Sequence, residues 1–355
     1  MTQEELFGLL HEVVHPERQG DIVTLGMIEN PTVTSEKIQF SLVFTRNRDP
    51  FAAAIKKRCE ELIVARHPKY AGNIHIFIKE NPNKKPTETH ERTVFGSDGK
   101  TGRIVAISSA KGGVGKSTVT ANLAVTLSKK GYRVGILDAD IYGPSQPMLF
   151  DLEGYQPDGI EVDGHEWIRP ADRFGILIMS IGFFINPQDA LMWRGPMAIN
   201  ALRQMIRQTL WGELDFLLID MPPGTGDIHL SILQEMSLSG AIIVSTPQKM
   251  ALADVVRGIS MFRNEKIGIP VLGLVENMAW FTPEELPDHK YYLFGKEGTK
   301  RLAEKEQLPL LAQIPLIQNI MESADEGKPI SMENTPTSEY YQLLADHMLE
   351  VLNKQ

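Results

Sequence analysis

Residues 110–118 read Ala110-Lys111-Gly112-Gly113-Val114-Gly115-Lys116-Ser117-Thr118, and this stretch decides how the rest of the chain is read. It fits G-x-x-x-x-G-K-S/T with Ala110 standing where the first glycine belongs. Before it lies an apolar, β-branched segment, Arg103–Ser108, and after it a helical stretch, Lys116–Lys130, with Gly131 placed to end it. Strand, glycine loop and helix in that order make a cradle for phosphate. The glycines let the backbone curl so that several N–H groups face one anion, and the helix N-terminus adds partial positive charge. Gly112, Gly113, Val114, Gly115, Lys116, Ser117 and Thr118 are therefore the expected nucleotide-binding residues. Lys116 is expected to reach the β- and γ-phosphates, and the Ser117 hydroxyl to ligand Mg²⁺. The loop is of the mononucleotide kind, which disfavours hydride transfer from a dinucleotide.

Working outward, strand-like runs recur at 133–138 (RVGILD), 175–180 (GILIMS), 215–220 (DFLLID), 240–246 (GAIIVST) and 270–277 (PVLGLVEN), with helical stretches between most of them. A helix near Ser338–Asn353 closes the chain. Apolar strands alternating with helices predict an α/β fold, a mostly parallel sheet flanked by helices, over residues 101–355. Residues 1–80 predict a small α/β domain ahead of it. Leu6, Leu9, Leu10, Val13 and Val14 have helical spacing, and Ile38, Phe40, Leu42 and Phe44 alternate as a half-buried strand. A helix over 51–65 and a second strand at Ile74, Ile76 and Ile78 complete it. Between the two, residues 81–100 are polar, hold two prolines and lack any apolar period; they read as a linker, with an ordered polar excursion as the alternative.

Composition narrows the function classes. The 355 residues carry 36 basic and 45 acidic side chains, a net charge of −9, which argues against a bulk electrostatic grip on nucleic acid or an anionic membrane. No apolar run approaches the ~20 residues that span a bilayer, and the acidic amphipathic start lacks the form of a signal peptide. A single cysteine, Cys59, excludes an internal disulfide framework, and with the absence of targeting signals it predicts a soluble, cytoplasmic protein.

Carboxylates at the carboxyl ends of parallel strands face the ligand crevice. Asp138 and Asp140 sit there in Leu137-Asp138-Ala139-Asp140-Ile141-Tyr142-Gly143-Pro144-Ser145, and Gly143-Pro144 marks a turn that lets both point inward. Asp220 ends the run Leu218-Ile219-Asp220 before Met221-Pro222-Pro223-Gly224-Thr225-Gly226-Asp227, and is placed to hold Mg²⁺ through water. Asp227 is either functional or the N-cap of the helix at Ile228. Asn277, at the end of the last apolar strand, offers one donor and one acceptor face, which suits an adenine edge; a plain turn residue is the alternative.

Lys111 makes the loop K-G-G-x-G-K-S/T, which resembles the deviant Walker A motif of the SIMIBI class of P-loop ATPases, that of nitrogenase iron protein and the MinD/ParA proteins. The resemblance implies that Lys111 reaches across a nucleotide-sandwich homodimer to the partner's phosphates, that Asp138 lies near Mg²⁺ and that Asp140 orients the attacking water. It also implies that Asn277 contacts the base. Trp193–Met197 (WRGPM), Asp220–Asp227 (DMPPGTGD), Ser245–Gln248 (STPQ) and Val275–Met278 (VENM) together resemble the Mrp/ApbC/NBP-type iron–sulfur cluster carriers over 101–350. His15–Ile28 (HPERQGDIVTLGMI) resembles a segment of the MIP18-type (DUF59) domain found ahead of many such proteins. Membership implies ATP binding and slow hydrolysis, homodimerisation, and delivery of clusters to apo-proteins or exchange with assembly factors, with no call for nucleic acid or membrane.

One departure stands out. The family places C-x-x-C after the V-E-N-M strand, where two protomers hold a bridging 4Fe–4S cluster, but here residues 279–290 read AWFTPEELPDHK without a cysteine. Residues 44–50, where the N-terminal domain usually has a cysteine, read FTRNRDP. Two thiolates per dimer make no four-cysteine site. Glu284, Glu285, Asp288 and His289 are candidate metal ligands, but carboxylates are poor substitutes for thiolate on a soft cluster. An iron–sulfur cluster is thus implied by resemblance while its usual ligands are missing. A cargo-free ATP switch that recruits partners is the main alternative. A positioning ATPase is disfavoured by the acidic tail, and a small-molecule ligase or kinase has no announced pocket.

Overall fold

The computed structural model describes residues 1–80 and 102–354, other than 2, 16–19, 24, 26, 35–36, 45–48, 50, 163–164, 185–194, 266, 284 and 287. The chain divides into two compact units, residues 1–90 and 91–355. The stretch 81–100, read as a linker, lies outside the described residues, as do Trp193 and Arg194 of the WRGPM segment and much of the 44–50 turn.

In the first unit, strands Ile28–Val33, Ile38–Phe44 and Ile74–Glu80 form a sheet in that order, antiparallel and then parallel, with the helix Ala52–Arg66 as crossover. Its core gathers Leu6, Leu10, Phe40, Leu42, Phe44, Ile55, Cys59, Ile63 and Tyr70. Two expectations shift. The strand 38–44 is buried along nearly its whole length, Ser41 and Val43 included, because it is the central strand of three. The first helix ends at Leu10; Val14 instead opens a two-residue strand paired with Asp21, and its side chain is exposed.

The main sheet of the second unit has eight strands among the described residues: β1 (Arg103–Ser109), β2 (Val134–Asp138), β3 (Ala171–Arg173), β4 (Ile176–Ser180), β5 (Phe216–Pro223), β6 (Gly240–Ser245), β7 (Val271–Phe281) and β8 (Leu310–Leu316). Their order is β3-β4-β2-β5-β1-β6-β7-β8, and only the β3–β4 edge pair is antiparallel. The helices are α1 (Lys116–Lys129), α2 (Gln146–Leu149), α3 (Gly195–Gln208), α4 (Asp227–Glu235), α5 (Lys249–Arg263), α6 (Gly298–Glu306), α7 (Gln318–Asp325) and α8 (Pro336–Asn353). Strands β1, β2 and β6 are buried almost throughout, as a sheet covered on both faces requires. Gly131, at φ +92°, follows the cap of α1 in the left-handed conformation that a terminating glycine supplies. Asp227 is the first residue of α4 and Gly226 occupies the cap, so the N-cap reading of Asp227 is replaced by a first-turn position. The strand β8 went unread in the sequence, because Gln313 and Pro315 interrupt its apolar run. Among the described residues no helix is long and apolar enough to cross a membrane.

This topology fixes the site. Parallel register places Asp138 of β2 opposite Asp220 of β5 and opposite Ser180 of β4, so three polar residues end neighbouring strands in one row. The loop 110–115 follows β1, which lies between β5 and β6, at the carboxyl ends where crevices open in such sheets.

Candidate nucleotide-binding site

Gly113 and Gly115 hold φ of +77° and +80°, left-handed values that bend the loop and deliver the chain to the start of α1. A side chain on Gly115 would also collide with the Asn277 amide nitrogen. The Asn277 amide explains that closeness: Nδ2 donates to the Val114 carbonyl at 2.8 Å, across 163 residues of sequence. One of its two amide protons is thus committed to the loop, and the oxygen remains an acceptor.

A cleft of about 470 Å³ opens over the loop. Lys111 through Thr118, Asp140 and Asn277 line it, so most of the residues singled out in the sequence meet at one place. Asp138 and Asp220 do not line it; both are fully buried beneath the loop. The cleft has a second wall that sequence reading missed: Met278, then Pro315, Leu316 and Ile317 from the end of β8 and the entry to α7. The unread strand is therefore also the source of the apolar wall.

Electrostatics concentrate on Lys116, which is 6% exposed. Its ammonium is bonded to Asp220 Oδ1, lies 3.8 Å from Asp140 and touches the Ser117 hydroxyl at 3.2 Å. Burial alone would push this ammonium down, but the carboxylates of Asp220, Asp140 and Asp138 hold it above its ordinary value. Asp138 is pushed up to about 7 by burial and by the neighbouring Asp220, against Lys116 and its hydrogen bonds from Gln146 and Ser180. Burial likewise raises Asp140, with Lys116 opposing. The inner site therefore sets one cation against three carboxylates.

Ser117, Asp138 and Asp220 present only oxygen donors, the ligand chemistry of Mg²⁺, and they fit a metal held partly by phosphate and water. Among the described residues no group of three or more His, Cys, Asp or Glu is gathered to hold a metal ion by itself; of the acidic stretch, Glu284 lies outside the described residues, and Glu285, Asp288 and His289 form no such group. Lys111 pairs with Asp254 of α5 at 3.1 Å, so in the single chain it stays on its own molecule. Cys59 is fully buried in the first unit's core, and burial pushes its thiol up to about 12. Two residues beyond the sequence reading belong to the inner site. Gln146 links Asp138, Ser117 and Asp220, and His229 of α4 is bonded to the backbone of Pro222, two residues beyond Asp220 at the end of β5. Gln146 sits beside the D-x-D run, but nothing in its local pattern signals a partner 74 residues away.

Comparison with known proteins agrees with this geometry. Residues 100–349 match the family described as NUBPL iron-transfer P-loop NTPase, and residues 3–74 match iron–sulfur cluster assembly protein. An iron–sulfur cluster carrier protein of Synechocystis sp. is 39% identical over 333 residues, covering 93% of this chain and 91% of the relative. The iron–sulfur cluster transfer protein NUBPL of Dictyostelium discoideum is 44% identical over 256 residues, 70% of this chain and 77% of the relative. Among solved structures, a nucleotide-binding protein of Archaeoglobus fulgidus in complex with ADP is 40% identical, with a TM-score of 0.57 over 67% of this chain and 90% of that one. The cell division ATPase MinD of Pyrococcus furiosus, 24% identical with a TM-score of 0.52 over 71% of this chain and 100% of that one, shares the fold. With the phosphate loop, the strand-end aspartates and a P-loop NTPase sheet in place, the chain belongs to the NUBPL-type iron-transfer P-loop NTPases, the family of the iron–sulfur cluster carriers, with a MIP18-type domain at its N-terminus.

Proposed function

We propose that this protein binds ATP with Mg²⁺, hydrolyses it slowly, and uses the change of state to switch a homodimer that delivers iron–sulfur clusters to apo-proteins. The observation that carries the nucleotide reading is the charge of the inner site. Beneath the loop Lys116 is set against Asp140 and Asp220, with Asp138 raised to about 7 beside them, so a bare polyphosphate would enter a region already short of positive charge. A divalent cation bound through Ser117, Asp138 and Asp220 supplies the missing charge on the phosphate oxygens.

In this reading the N–H groups of Gly112 to Lys116 receive the phosphates, and Lys116 leaves Asp220 to reach them. Asp140, already 3.8 Å from Lys116, orients the attacking water and takes up its proton at the carboxylate. Asn277 accepts the adenine amino group at Oδ1 while Nδ2 keeps its hold on Val114. Lys111 exchanges Asp254 for the phosphates of a second copy. The ADP complex of the Archaeoglobus relative and the carrier names of the Synechocystis and Dictyostelium relatives support the reading. A lone free cysteine supports a cytoplasmic setting.

Mg²⁺-dependent ATP hydrolysis is expected to vanish in Lys116→Ala; unchanged turnover would remove the site assignment. Lys111→Ala is expected to weaken ATP-dependent dimerisation on sizing chromatography.

A second reading has its own observation. The cluster is cargo, yet each copy brings one thiol, and Cys59 is buried with its pKa far above neutrality. Where relatives place C-x-x-C, Phe281 and Tyr291 exchange two backbone hydrogen bonds of 2.8 Å, and the Lys290 ammonium lies 3.9 Å from the Trp280 ring centre. An aromatic, thiol-free hairpin favours an ATP switch that recruits partners and holds no cluster with its own residues. Anaerobic reconstitution with iron and sulfide, followed by iron counting, separates the two.

A further inference from the structure

Gln146 opens α2, eight residues beyond Asp138, and its side chain is completely buried. It touches all three residues expected to hold the metal. Its backbone N–H donates to Asp138 Oδ2 at 3.1 Å. Its Nε2 donates to Asp220 Oδ2 at 2.8 Å and to the Ser117 carbonyl at 3.1 Å. Both amide protons are therefore used, and both go to the metal-site elements.

The other half of the amide has no partner. Gln146 Oε1 is buried and accepts no hydrogen bond among the described residues. An orphaned buried acceptor forfeits its hydration with nothing in return, and such groups are rare unless a missing water or ion completes them. The surrounding carboxylates are satisfied by contrast. Asp138 accepts from Asp140 N–H at 3.2 Å, from Gln146 N–H and from Ser180 Oγ at 2.9 Å. Asp220 accepts from Lys116, from Thr120 Oγ1 at 3.3 Å and from Gln146. One acceptor stands open in a shell of donors already committed.

We infer that Gln146 is a positioning residue of the metal site: its nitrogen fixes the Asp220 carboxylate and its oxygen accepts from a water in the cation's hydration shell. The inference rests on the Mg²⁺–nucleotide reading above. Mg²⁺ keeps several of its waters when bound, and those waters are strong donors that suit a neutral amide oxygen. Glutamate at this position could not donate to Asp220 without a proton and would add a fourth carboxylate to the site. A residue in this outer position typically changes metal affinity 10–100-fold.

The test uses Mn²⁺ as the probe, counted by electron paramagnetic resonance on the full chain saturated with ADP. Binding of ADP itself is measured separately in EDTA. Gln146→Leu removes both polar ends. Gln146→Met, unbranched and close in volume, serves if the leucine variant does not fold. The expected result is a roughly tenfold or greater loss of Mn²⁺ affinity with ADP affinity in EDTA unchanged. Unchanged Mn²⁺ affinity in a folded variant overturns the inference and leaves the nucleotide reading intact. Equal losses with and without metal also overturn it, since they assign Gln146 to loop architecture. If the unaltered protein binds no Mn²⁺ with ADP, the underlying Mg²⁺–nucleotide reading itself falls.

Discussion

His229 offers a test of the buried site that needs no nucleotide. Its ring is 2% exposed, bonded on one side to the backbone of Pro222, and its Nε2 has no partner among the described residues. Burial, with a smaller push from Lys116, lowers its pKa from 6.5 to about 4, against the bond to Pro222. A histidine that is harder to protonate when folded stabilises the protein above its unfolded pKa, and that stability drains away as pH falls toward the folded one. The window is therefore pH 6.5 down to about 4. Two-state linkage with these values gives almost no cost at pH 7.5, about 2 kcal/mol at pH 5, and about 3 kcal/mol once both states are protonated. The perturbation is His229→Asn, which removes the titration and keeps an amide nitrogen near the place of Nδ1, able to donate to Pro222. The assay is denaturant unfolding at pH 7.5 and pH 5, followed by tryptophan fluorescence. All four tryptophans, 167, 193, 211 and 280, lie in the second unit, so the signal reports that unit alone. Other groups titrate in both proteins and cancel in the difference. The expected outcome is that the unaltered chain loses about 2 kcal/mol more than the variant between the two pH values. Parallel losses would refute the buried, neutral histidine and its hold on the end of β5.

Two further outcomes are expected. Asn277→Ala removes the acceptor for the adenine amino group and should lower the ratio of ATP to GTP affinity by about tenfold, measured by competition with a fluorescent nucleotide; an unchanged ratio would place the base elsewhere. Cys59, with its thiol pushed up to about 12 and no exposure, should resist iodoacetamide at pH 8 in the native protein and react on unfolding, read by mass spectrometry; rapid native labelling would show that the first unit opens readily.

Much of the second unit was legible because its signals are local. The glycines at 113 and 115 encode left-handed backbone, and an apolar β-branched run encodes a buried strand, so β1, the loop and α1 follow from neighbouring residues. The strand β8 was not legible for the same reason: Gln313 and Pro315 break the local pattern, while the pairing that makes it a strand comes from β7, about forty residues earlier. The N-terminal helix was overread because Val13 and Val14 continue an apolar spacing that the chain breaks to pair Val14 with Asp21.

The sequence by itself determined the phosphate loop, the strand-end carboxylates, the alternation that gives a parallel sheet, and the count of one cysteine. Only the tertiary structure decided what those residues touch. Register across β2 and β5 sets Asp138 beside Asp220, Lys116 turns back onto Asp220, Asn277 braces Val114, and Gln146 donates to Asp220. The physical reason is distance along the chain. Periodicity and backbone preference act over a few residues, whereas these contacts join positions 74 to 163 apart and exist only once strand order brings them within hydrogen-bonding reach.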